Sequence, residues 1–321
     1  MKVMYKVICC VAVLLSASQA GAYVCSRVPD ATGQEPGPSL SWYTRNITFT
    51  LDASGTSQIP GLEELDALRA AFAVWEYLIP EAPDACEISA GATDIRFTET
   101  ALSTQRYIGY DYSPNAVNEN LVLFRNDDDD DDWPYMDKDG KPFLAFTTVT
   151  YNVLTGEIFD ADIEINTQNF TFSIDEVHND ADLMGIMVHE IGHVLGLGHT
   201  VGNAALDLSD IEARDTTMYP FVGPGETKKR TLHCDDARGI AFKYPASTPN
   251  QYCDPVDPAC AGCAPPEEHY RDNSHIVVIT ADDRAGGCSA MGGSLIMTLA
   301  VMMVLLVLIL RLMVRNFCIP T

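Results

Sequence analysis

The sequence predicts an α+β (mixed α/β) domain with a twisted sheet and two late helices. This prediction depends on the order of two patterns. Short segments rich in β-branched and aromatic residues mostly come first, and two segments of helical character follow them. Apolar residues make up 47% of the 321 residues, so the middle of the chain can bury a sizeable core. At roughly 100–200 residues per domain, one or two folded domains fit this length.

The predicted elements follow one another between residues 46 and 245. NITFTL at residues 46–51 alternates as a strand does, and residues 61–79 repeat apolar side chains at helical spacing before Pro80. Further strands are predicted at residues 94–97, 120–125, 143–151 and 158–165, and helices at residues 180–195 and 231–244, the last stopped at Pro245. Residues 246–285 are rich in Pro, Asp and Cys, which predicts a linker or a small disulfide-stapled tail.

The charge of the chain excludes one class of partner. The formal net charge is −25, and all 45 acidic residues lie between Tyr23 and Gly287. Such a surface repels phosphate backbones, so a nucleic-acid partner is excluded. Aromatic and β-branched residues are spread through the same region, which argues against extensive disorder.

The N-terminus predicts a secretory signal peptide over residues 1–22. Lys2 and Lys6 precede a short apolar run at residues 7–15, and Ala20-Gly21-Ala22 is a small-x-small cleavage site before Tyr23. The alternative is an N-terminal membrane anchor, but this apolar run is too short to cross a hydrocarbon core of about 30 Å.

The C-terminus, residues 286–321, predicts a membrane or envelope anchor. Residues 295–310 are apolar without a break, and Arg311 and Arg315 follow them, which would place the acidic domain outside. Gly-Gly-Cys-Ser at residues 286–289, followed by an apolar helix and arginines, resembles the C-terminal sorting tails of myxobacterial surface proteins. The resemblance implies processing near Cys288 and retention at the cell surface. The alternative is a plain one-span anchor.

The cysteines predict a disulfide framework. Outside the two ends, the chain has six cysteines in an exported region: Cys25, Cys86, Cys234, Cys253, Cys260 and Cys263. Fifteen pairings of six cysteines are possible, and the sequence does not choose between them. Cys260-Ala-Gly-Cys263 could instead be a redox or zinc motif, although no second Cys pair stands at zinc spacing.

HEIGH at residues 189–193 predicts a metal site on the first of the two late helices. Residues four apart lie one turn apart on the same face, so His189 and His193 can both bind one zinc ion. Glu190 would lie beside the metal, where a carboxylate can take a proton from water.

The continuation VLGLGH supplies a third ligand. In an unbroken helix His199 would lie about 15 Å along the axis from His189, out of reach. Gly196 allows the helix to end and the chain to turn back, which brings His199 to the metal. Three ligands leave a fourth position open for water, as in catalytic zinc sites.

The whole string, HEIGHVLGLGH, resembles the zinc motif of the metzincin metalloproteases. Met218 in TTMYP matches the methionine turn of that family, and LGLGHT together with MYP is similar to the matrixin, or matrix-metalloprotease, branch. LHCDDARGI at residues 232–240 resembles the matrixin C-terminal helix, whose paired Asp residues support the methionine turn. The resemblance covers residues 42–245 and implies a metzincin-like catalytic domain with a mostly parallel sheet, an active-site helix and a C-terminal helix.

The resemblance also implies residue roles. The residues concerned are His189, His193 and His199 for one catalytic zinc, Glu190 as the general base, Met218 as the floor beneath the metal, and Tyr219 at the start of the specificity wall that residues 221–227 continue. The substrate would lie extended along an edge strand, for which residues 143–151 are the candidate.

Two further expectations concern calcium and latency. Six consecutive Asp at residues 127–132 and the nearby Asp137-Lys138-Asp139-Gly140 favour Ca²⁺, as does the resemblance, although a solvated acidic loop is the alternative. No His occurs before His178, so the second, structural zinc of many matrixins is not expected. Cys25 begins a segment similar to the family's cysteine switch but one residue too long, so we expect a structural disulfide there.

Together these features predict an exported, surface-tethered zinc endopeptidase that hydrolyses extracellular proteins by metal-activated water. The expected partners are an extended polypeptide substrate and, through the C-terminal segment, a membrane, and we expect a monomer. The alternative is a surface adhesion protein with a vestigial metalloprotease fold. Glu190 argues against it, because a binding protein need not keep the base.

Overall fold

The computed structural model describes residues 23–29, 37–80, 86, 88–89, 91–126, 133–137, 139–175, 180–200, 214–247, 276–279 and 287–290. The elements in chain order are β1 (Val24–Cys25), β2 (Asn46–Leu51), α1 (Glu63–Glu76), β3 (Arg96–Glu99), β4 (Leu121–Arg125), β5 (Ala145–Asn152), β6 (Ile158–Asn166), β7 (Phe172–Ser173), β8 (Ala181–Asp182), α2 (Leu183–Val194), β9 (Leu197–Gly198), β10 (Phe221–Val222), α3 (Cys234–Lys243), β11 (Ile276–Ile279) and β12 (Gly287–Ala290). Short 3-10 helices lie at Pro60–Leu62 and Lys228–Arg230.

A mixed sheet forms the centre of the fold. Its main strands lie in the order β3-β2-β4-β6-β5. All neighbours in this order are parallel except β5, which is antiparallel to β6. This confirms the predicted α+β class and the mostly parallel sheet. β3 begins two residues later than predicted, because Thr93 forms a bridge with Pro245 beyond α3 before the chain enters the sheet.

Helix α1 packs on the sheet and on α2 through the apolar residues that its spacing predicted. Those buried on α1 include Leu65, Leu68, Phe72 and Trp75. Phe72 stacks on Phe49 of β2 with ring centroids 3.8 Å apart. Trp75 Nε1 donates to the carbonyl of Val188 in α2 at 2.7 Å. The helix ends at Glu76 rather than residue 79, since Leu78 adopts a left-handed φ of 46°.

On the other face of the sheet, acidic residues of β6 bond to a loop and to the neighbouring strand β4. Asp162 accepts hydrogen bonds from the backbone N–H groups of Gly109 and Leu121 at 2.6 and 2.8 Å. Glu164 pairs with Arg125 Nε at 2.7 Å. Buried carboxylates need such partners, so these contacts fix the loop at Gly109 and the strand β4 to β6.

One disulfide of the predicted framework is present. Cys86, after α1, is joined to Cys234, the first residue of α3, with Cα atoms 4.9 Å apart. The disulfide expected for Cys25 is wrong: its thiol is free and buried, because the residue opposite it in β9 is Leu197. The remaining candidates, Cys253, Cys260 and Cys263, lie outside the described residues.

Two strands from the C-terminal part of the chain lie on β5. β11, within the predicted linker, pairs antiparallel with residues 149–152 of β5. β12, within the predicted anchor, pairs antiparallel with Phe146 and Ala145 and parallel with β10. β5 therefore has strands on both sides, and Cys288 lies in β12. In the part of the chain that the structure describes, no helix is long and apolar enough to cross a membrane. The predicted signal peptide at residues 1–22 and the apolar run at residues 295–310 lie outside that part.

The disulfide leads to a test of stability. It closes a loop across a sequence separation of 148 residues. Replacing both cysteines, as C86S/C234S, is expected to lower the free energy of unfolding by about 2–5 kcal/mol, measured by denaturant unfolding. Reductant should destabilise the wild type by the same amount and leave the double variant unchanged. A double variant as stable as the wild type would contradict the prediction.

Candidate active site

Helix α2 carries the HEIGH motif and is held at both ends by side chains. Asp182 caps its start by accepting from the Gly185 N–H at 2.9 Å. At its end Trp42 Nε1 donates to the carbonyl of Val194 at 2.8 Å, and the Tyr244 hydroxyl donates to the next carbonyl at 2.9 Å. Helix ends leave such backbone groups without partners inside the helix. These contacts therefore fix the helix that positions the histidines.

Two buried tryptophans orient this helix. They do so through hydrogen bonds from their indole N–H groups as well as through the apolar surface that they bury. Trp75 from α1 and Trp42 from the segment before β2 both donate to carbonyls of α2, at 2.7 and 2.8 Å. Burying a Trp usually requires a partner for its N–H. Here the partner in each case is the helix that carries the HEIGH motif. The same side chains thus fix the hydrophobic core and the helix, and a change in core packing would also displace the histidines.

The chain reverses at Gly196, as predicted. This residue has a φ of +77°, and a Cβ there would lie 2.2 Å from the carbonyl oxygen of Leu40, so both conformation and space require glycine. Its N–H donates to the carbonyl of His193 at 2.8 Å and closes the helix. The reversal brings His199 back against the helix.

The structure brings the three predicted metal ligands together. In the part of the chain that it describes, His189, His193 and His199 form the one group of three metal-ligating side chains, with ligand atoms all within 4.8 Å of one another. His189 Nε2 lies 3.1 Å from His193 Nε2 and 3.3 Å from His199 Nε2. Three nitrogens bound tetrahedrally to zinc at about 2.0–2.1 Å would be about 3.3–3.4 Å apart.

Hydrogen bonds to the backbone decide which ring nitrogen faces this centre. Nδ1 of His189 bonds to the carbonyl of Thr217 and Nδ1 of His193 to the carbonyl of Leu197, both at 2.7 Å. A carbonyl oxygen only accepts, so Nδ1 carries the proton and Nε2 presents a lone pair. Burial lowers the pKa of His193 to about 4, so the ring is neutral at neutral pH. Lone pairs this close repel one another unless a cation lies between them, and the residues fit zinc.

Glu190 is buried beside this centre and is held by the sheet. The Thr147 hydroxyl on β5 donates to Glu190 Oε2 at 2.6 Å. Because Glu190 follows His189 directly on α2, the same turn of the helix carries both residues, and the bond from β5 orients the carboxylate. A carboxylate there can accept a proton from a water molecule at the metal.

Met218 lies beneath the histidines, where the sequence predicted a methionine turn. A Cβ built at Gly192 would be 2.3 Å from Met218 Sδ, so the thioether packs directly on the helix between the two motif histidines. Asp236 of α3 accepts from the Thr217 N–H at 2.7 Å and from the Met218 N–H at 3.3 Å. Asp236, one of the two paired Asp residues, thus gives the methionine turn the support that the resemblance implied.

The predicted specificity wall continues from the methionine turn. Tyr219 is buried, and its ring meets Phe221 of β10 edge to face with centroids 5.6 Å apart. Thr200, next to His199, donates its N–H to the Met218 carbonyl at 3.2 Å. The third histidine, the methionine turn and the residues predicted to form the wall are thus connected.

The structure describes only part of the acidic loop that predicted calcium. Residues 127–132 lie outside the described residues. Asp137 Oδ1 accepts from the N–H groups of Asp139 and Lys141, both at 2.8 Å, which closes its own turn. Matrixins normally bind calcium as well as zinc, and a calcium site in this loop stays a prediction.

Two site residues were missed by the sequence analysis. Thr147, which orients Glu190, is 43 residues away in the chain, and the strand pattern that contains it gives no hint of this contact. Lys229 stands in a run of three basic residues that looks like a solvated surface, yet only 2% of its surface is exposed. Its Nζ bonds to carbonyls of the methionine turn.

The contact beneath the helix predicts the effect of one methyl group. Gly192→Ala should force Met218 and Trp75 to move, since a Cβ would lie 2.3 Å from Met218 Sδ and 3.0 Å from Trp75 Cζ2. We expect a destabilisation of about 1–3 kcal/mol, measured by thermal unfolding. Gly198→Ala is the matched control, because a Cβ there meets nothing closer than 3.5 Å. Equal stability of the two variants would show that this packing is loose.

Comparisons with known proteins agree with this geometry. The matrixin family model matches residues 41–245. The chain is 27% identical over 218 residues to Matrix metalloproteinase-15 of Homo sapiens, across 68% of this chain and 26% of that protein. It is 32% identical over 114 residues to Metalloendoproteinase 4-MMP of Arabidopsis thaliana, across 35% of this chain and 29% of that protein. The chain thus spans less than a third of the length of these relatives.

The matched region contains the whole site. It includes the three histidines with Glu190, the methionine turn and the helix that carries Asp236. It covers more than half of the 321 residues. The chain therefore belongs to the matrixin family.

Proposed function

We propose that this chain is an exported, surface-tethered zinc endopeptidase that hydrolyses peptide bonds of extracellular proteins. The observation that carries the peptidase activity is the convergence of three imidazole nitrogens, with separations of 3.1 and 3.3 Å, beside a buried carboxylate. Membership of the matrixin family supports zinc-dependent proteolysis. His189, His193 and His199 would hold the ion, and Glu190 would act as the general base.

The residues divide the reaction between them. Bound zinc would polarise the scissile carbonyl and lower the pKa of the attacking water. Glu190 accepts a proton from that water and passes it to the leaving amine. Thr147 holds the Glu190 carboxylate in one orientation during this transfer, through its 2.6 Å hydrogen bond.

An extended substrate fits the space between β5 and β10. A peptide can add to a sheet through its main chain and leave its side chains to pockets. β12 supports this arrangement, because it runs antiparallel to β5 and parallel to β10 at once. It also lies within 8 Å of α2, measured between Cα atoms. A segment of the chain itself is thus seated where we propose that an extended polypeptide binds.

Export and tethering are supported by the two ends of the sequence. The charged and apolar start with its small-x-small site fits a signal peptide, and the apolar run at residues 295–310 with its following arginines fits an anchor. The matrixin match covers residues 41–245 and includes neither end, so the support for export and tethering comes from the sequence of the ends themselves.

The second candidate function is a surface adhesion protein that keeps the fold without catalysis. A binding protein would need neither a base nor converging unprotonated nitrogens. Glu190 is present, buried and bonded to Thr147, and the histidine tautomers are set for a metal. These observations favour the peptidase.

Substitution of the proposed base, Glu190, distinguishes the peptidase from the adhesion protein. Glu190→Gln should keep one tightly bound zinc per chain, measured by elemental analysis, because it alters no ligand. Its peptidase kcat is expected to fall by about 10²–10⁴-fold, since the base is lost. His193→Ala is the comparison variant and should lose zinc as well. Near-native hydrolysis by Glu190→Gln, or a wild type with no zinc or with two equally tight zincs, would contradict the proposal.

Truncation after Ala285 tests both the anchor and the substrate path. The truncated chain lacks β12 and the apolar segment, so it should be released in soluble, active form. If β12 occupies the cleft in nine of ten molecules, KM for a peptide substrate should fall about tenfold. Truncated protein that stays with the membrane would show that the tail is not the anchor, and an unchanged KM would show that β12 does not compete.

Cys288→Ala distinguishes the two forms of tether. A change in the size of the mature protein on gels is the result expected from a processed sorting tail. Unchanged size and location in fractionated cells would favour a plain one-span anchor.

A further inference from the structure

Lys229 is a buried cation that the catalytic mechanism does not use. It lies in the 3-10 helix Lys228–Arg230, and only 2% of its surface is exposed. Its Nζ donates to the carbonyls of Thr217 at 2.8 Å and Tyr219 at 2.5 Å and lies 5.9 Å from the centre of the Tyr219 ring. Burying an ammonium group is costly even with such partners. Its position therefore calls for a structural explanation.

One of these carbonyls also holds a metal ligand. The Thr217 oxygen accepts from Lys229 Nζ at 2.8 Å and bonds to His189 Nδ1 at 2.7 Å. A carbonyl oxygen has two lone pairs and can accept both bonds. Hydrogen bonds thus link the ammonium group of Lys229, through this oxygen, to the imidazole ring of His189.

The same peptide unit is bonded at its opposite end by a carboxylate. The Met218 N–H, which belongs to the Thr217–Met218 peptide, donates to Asp236 Oδ1 at 3.3 Å. A cation at the carbonyl and a carboxylate at the N–H polarise the peptide in the same direction. The Thr217 oxygen becomes a stronger acceptor for the His189 Nδ1–H, which makes Nε2 of that ring a better metal ligand.

From these contacts we propose that Lys229 is a positioning residue for the zinc site, which fixes the Thr217 carbonyl and through it the orientation and tautomer of His189. Partners that hold a ligating histidine affect metal affinity by about 10–100-fold. A buried positive charge near the ion acts in the opposite direction by repulsion. The two effects predict opposite signs, so measuring zinc affinity decides between them. The inference depends on the proposed function only for the zinc site, not for hydrolysis.

Substitution of Lys229 tests the inference without relying on activity. Lys229→Met keeps the length of the side chain and removes its donors and charge. We expect its zinc dissociation constant, measured by competition with a chromophoric chelator, to rise about 10–100-fold. In the zinc-free variant, ¹⁵N spectra of the imidazole rings should show His189 losing its fixed Nδ1–H tautomer. A merely structural role would lower the melting temperature without changing this tautomer.

Lys228→Met is the matched control. Lys228 is the neighbouring residue, is 41% exposed in its side chain and pairs with Asp215 at 3.0 Å. It should change neither zinc affinity nor the His189 tautomer. Should Lys229→Met fail to fold, Lys229→Gln carries the test, because its shorter, neutral amide cannot hold both carbonyls and should also weaken zinc binding.

Zinc affinity that is unchanged or higher in a folded Lys229 variant would overturn the inference. If the wild type binds zinc but hydrolyses no peptide, the proposed function fails while the role of Lys229 can still be measured. If Lys229→Met loses zinc affinity and the wild type cleaves peptides, both the proposed function and the role of Lys229 are supported.

Discussion

Two unprotonated ring nitrogens, 3.1 Å apart, repel each other, and the matrixin domain holds them there. Each ring is fixed through its other nitrogen to a backbone carbonyl. Leu197, which holds His193, lies in β9 and is paired with β1 near the start of the described chain. Thr217, which holds His189, lies in the methionine turn and is fixed by α3 and by Lys229. Segments that are distant in sequence therefore meet at the three histidines. Their contacts hold the ring nitrogens close together against the repulsion between them.

The local parts of the site could be predicted from the sequence, and the long-range parts could not. The His spacing and Gly196 are local, because one helix and one turn are enough to place all three histidines. Residues that hold these histidines and Glu190 gave no such pattern. Thr147 contacts Glu190 across 43 residues, and Lys229 contacts Thr217 across 12. Lys229 in particular was hidden by its two basic neighbours, since a run of basic residues usually indicates a solvated surface.

The strand at residues 276–279 was missed because the composition of the surrounding residues was used to predict a linker. IVVI at residues 276–279 is β-branched and apolar, yet the Pro- and Cys-rich surroundings predicted a linker. In the structure it is β11, paired with β5. A four-residue strand is defined by its partner rather than by its neighbours in sequence, and the partner here lies more than 120 residues earlier. Cys25 is the converse case: a cysteine in a chain expected to be exported predicted a disulfide, but the residue opposite it in the sheet is Leu197.

The position of opposite charges around one peptide explains how a cation can be tolerated so close to a metal. Lys229 and Asp236 are both buried and lie at the two ends of the Thr217–Met218 peptide, so their charges largely cancel at a distance while acting in the same sense on that peptide. Burial raises the pKa of Asp236 to about 6, and Lys229 partly opposes that rise. The carboxylate form therefore predominates at neutral pH. A lysine alone at this position would repel the ion, and an aspartate alone would leave the Thr217 oxygen with His189 as its donor and no cation to polarise it. The site needs both charges, because only together do they strengthen the bond to His189 without adding net charge beside the zinc.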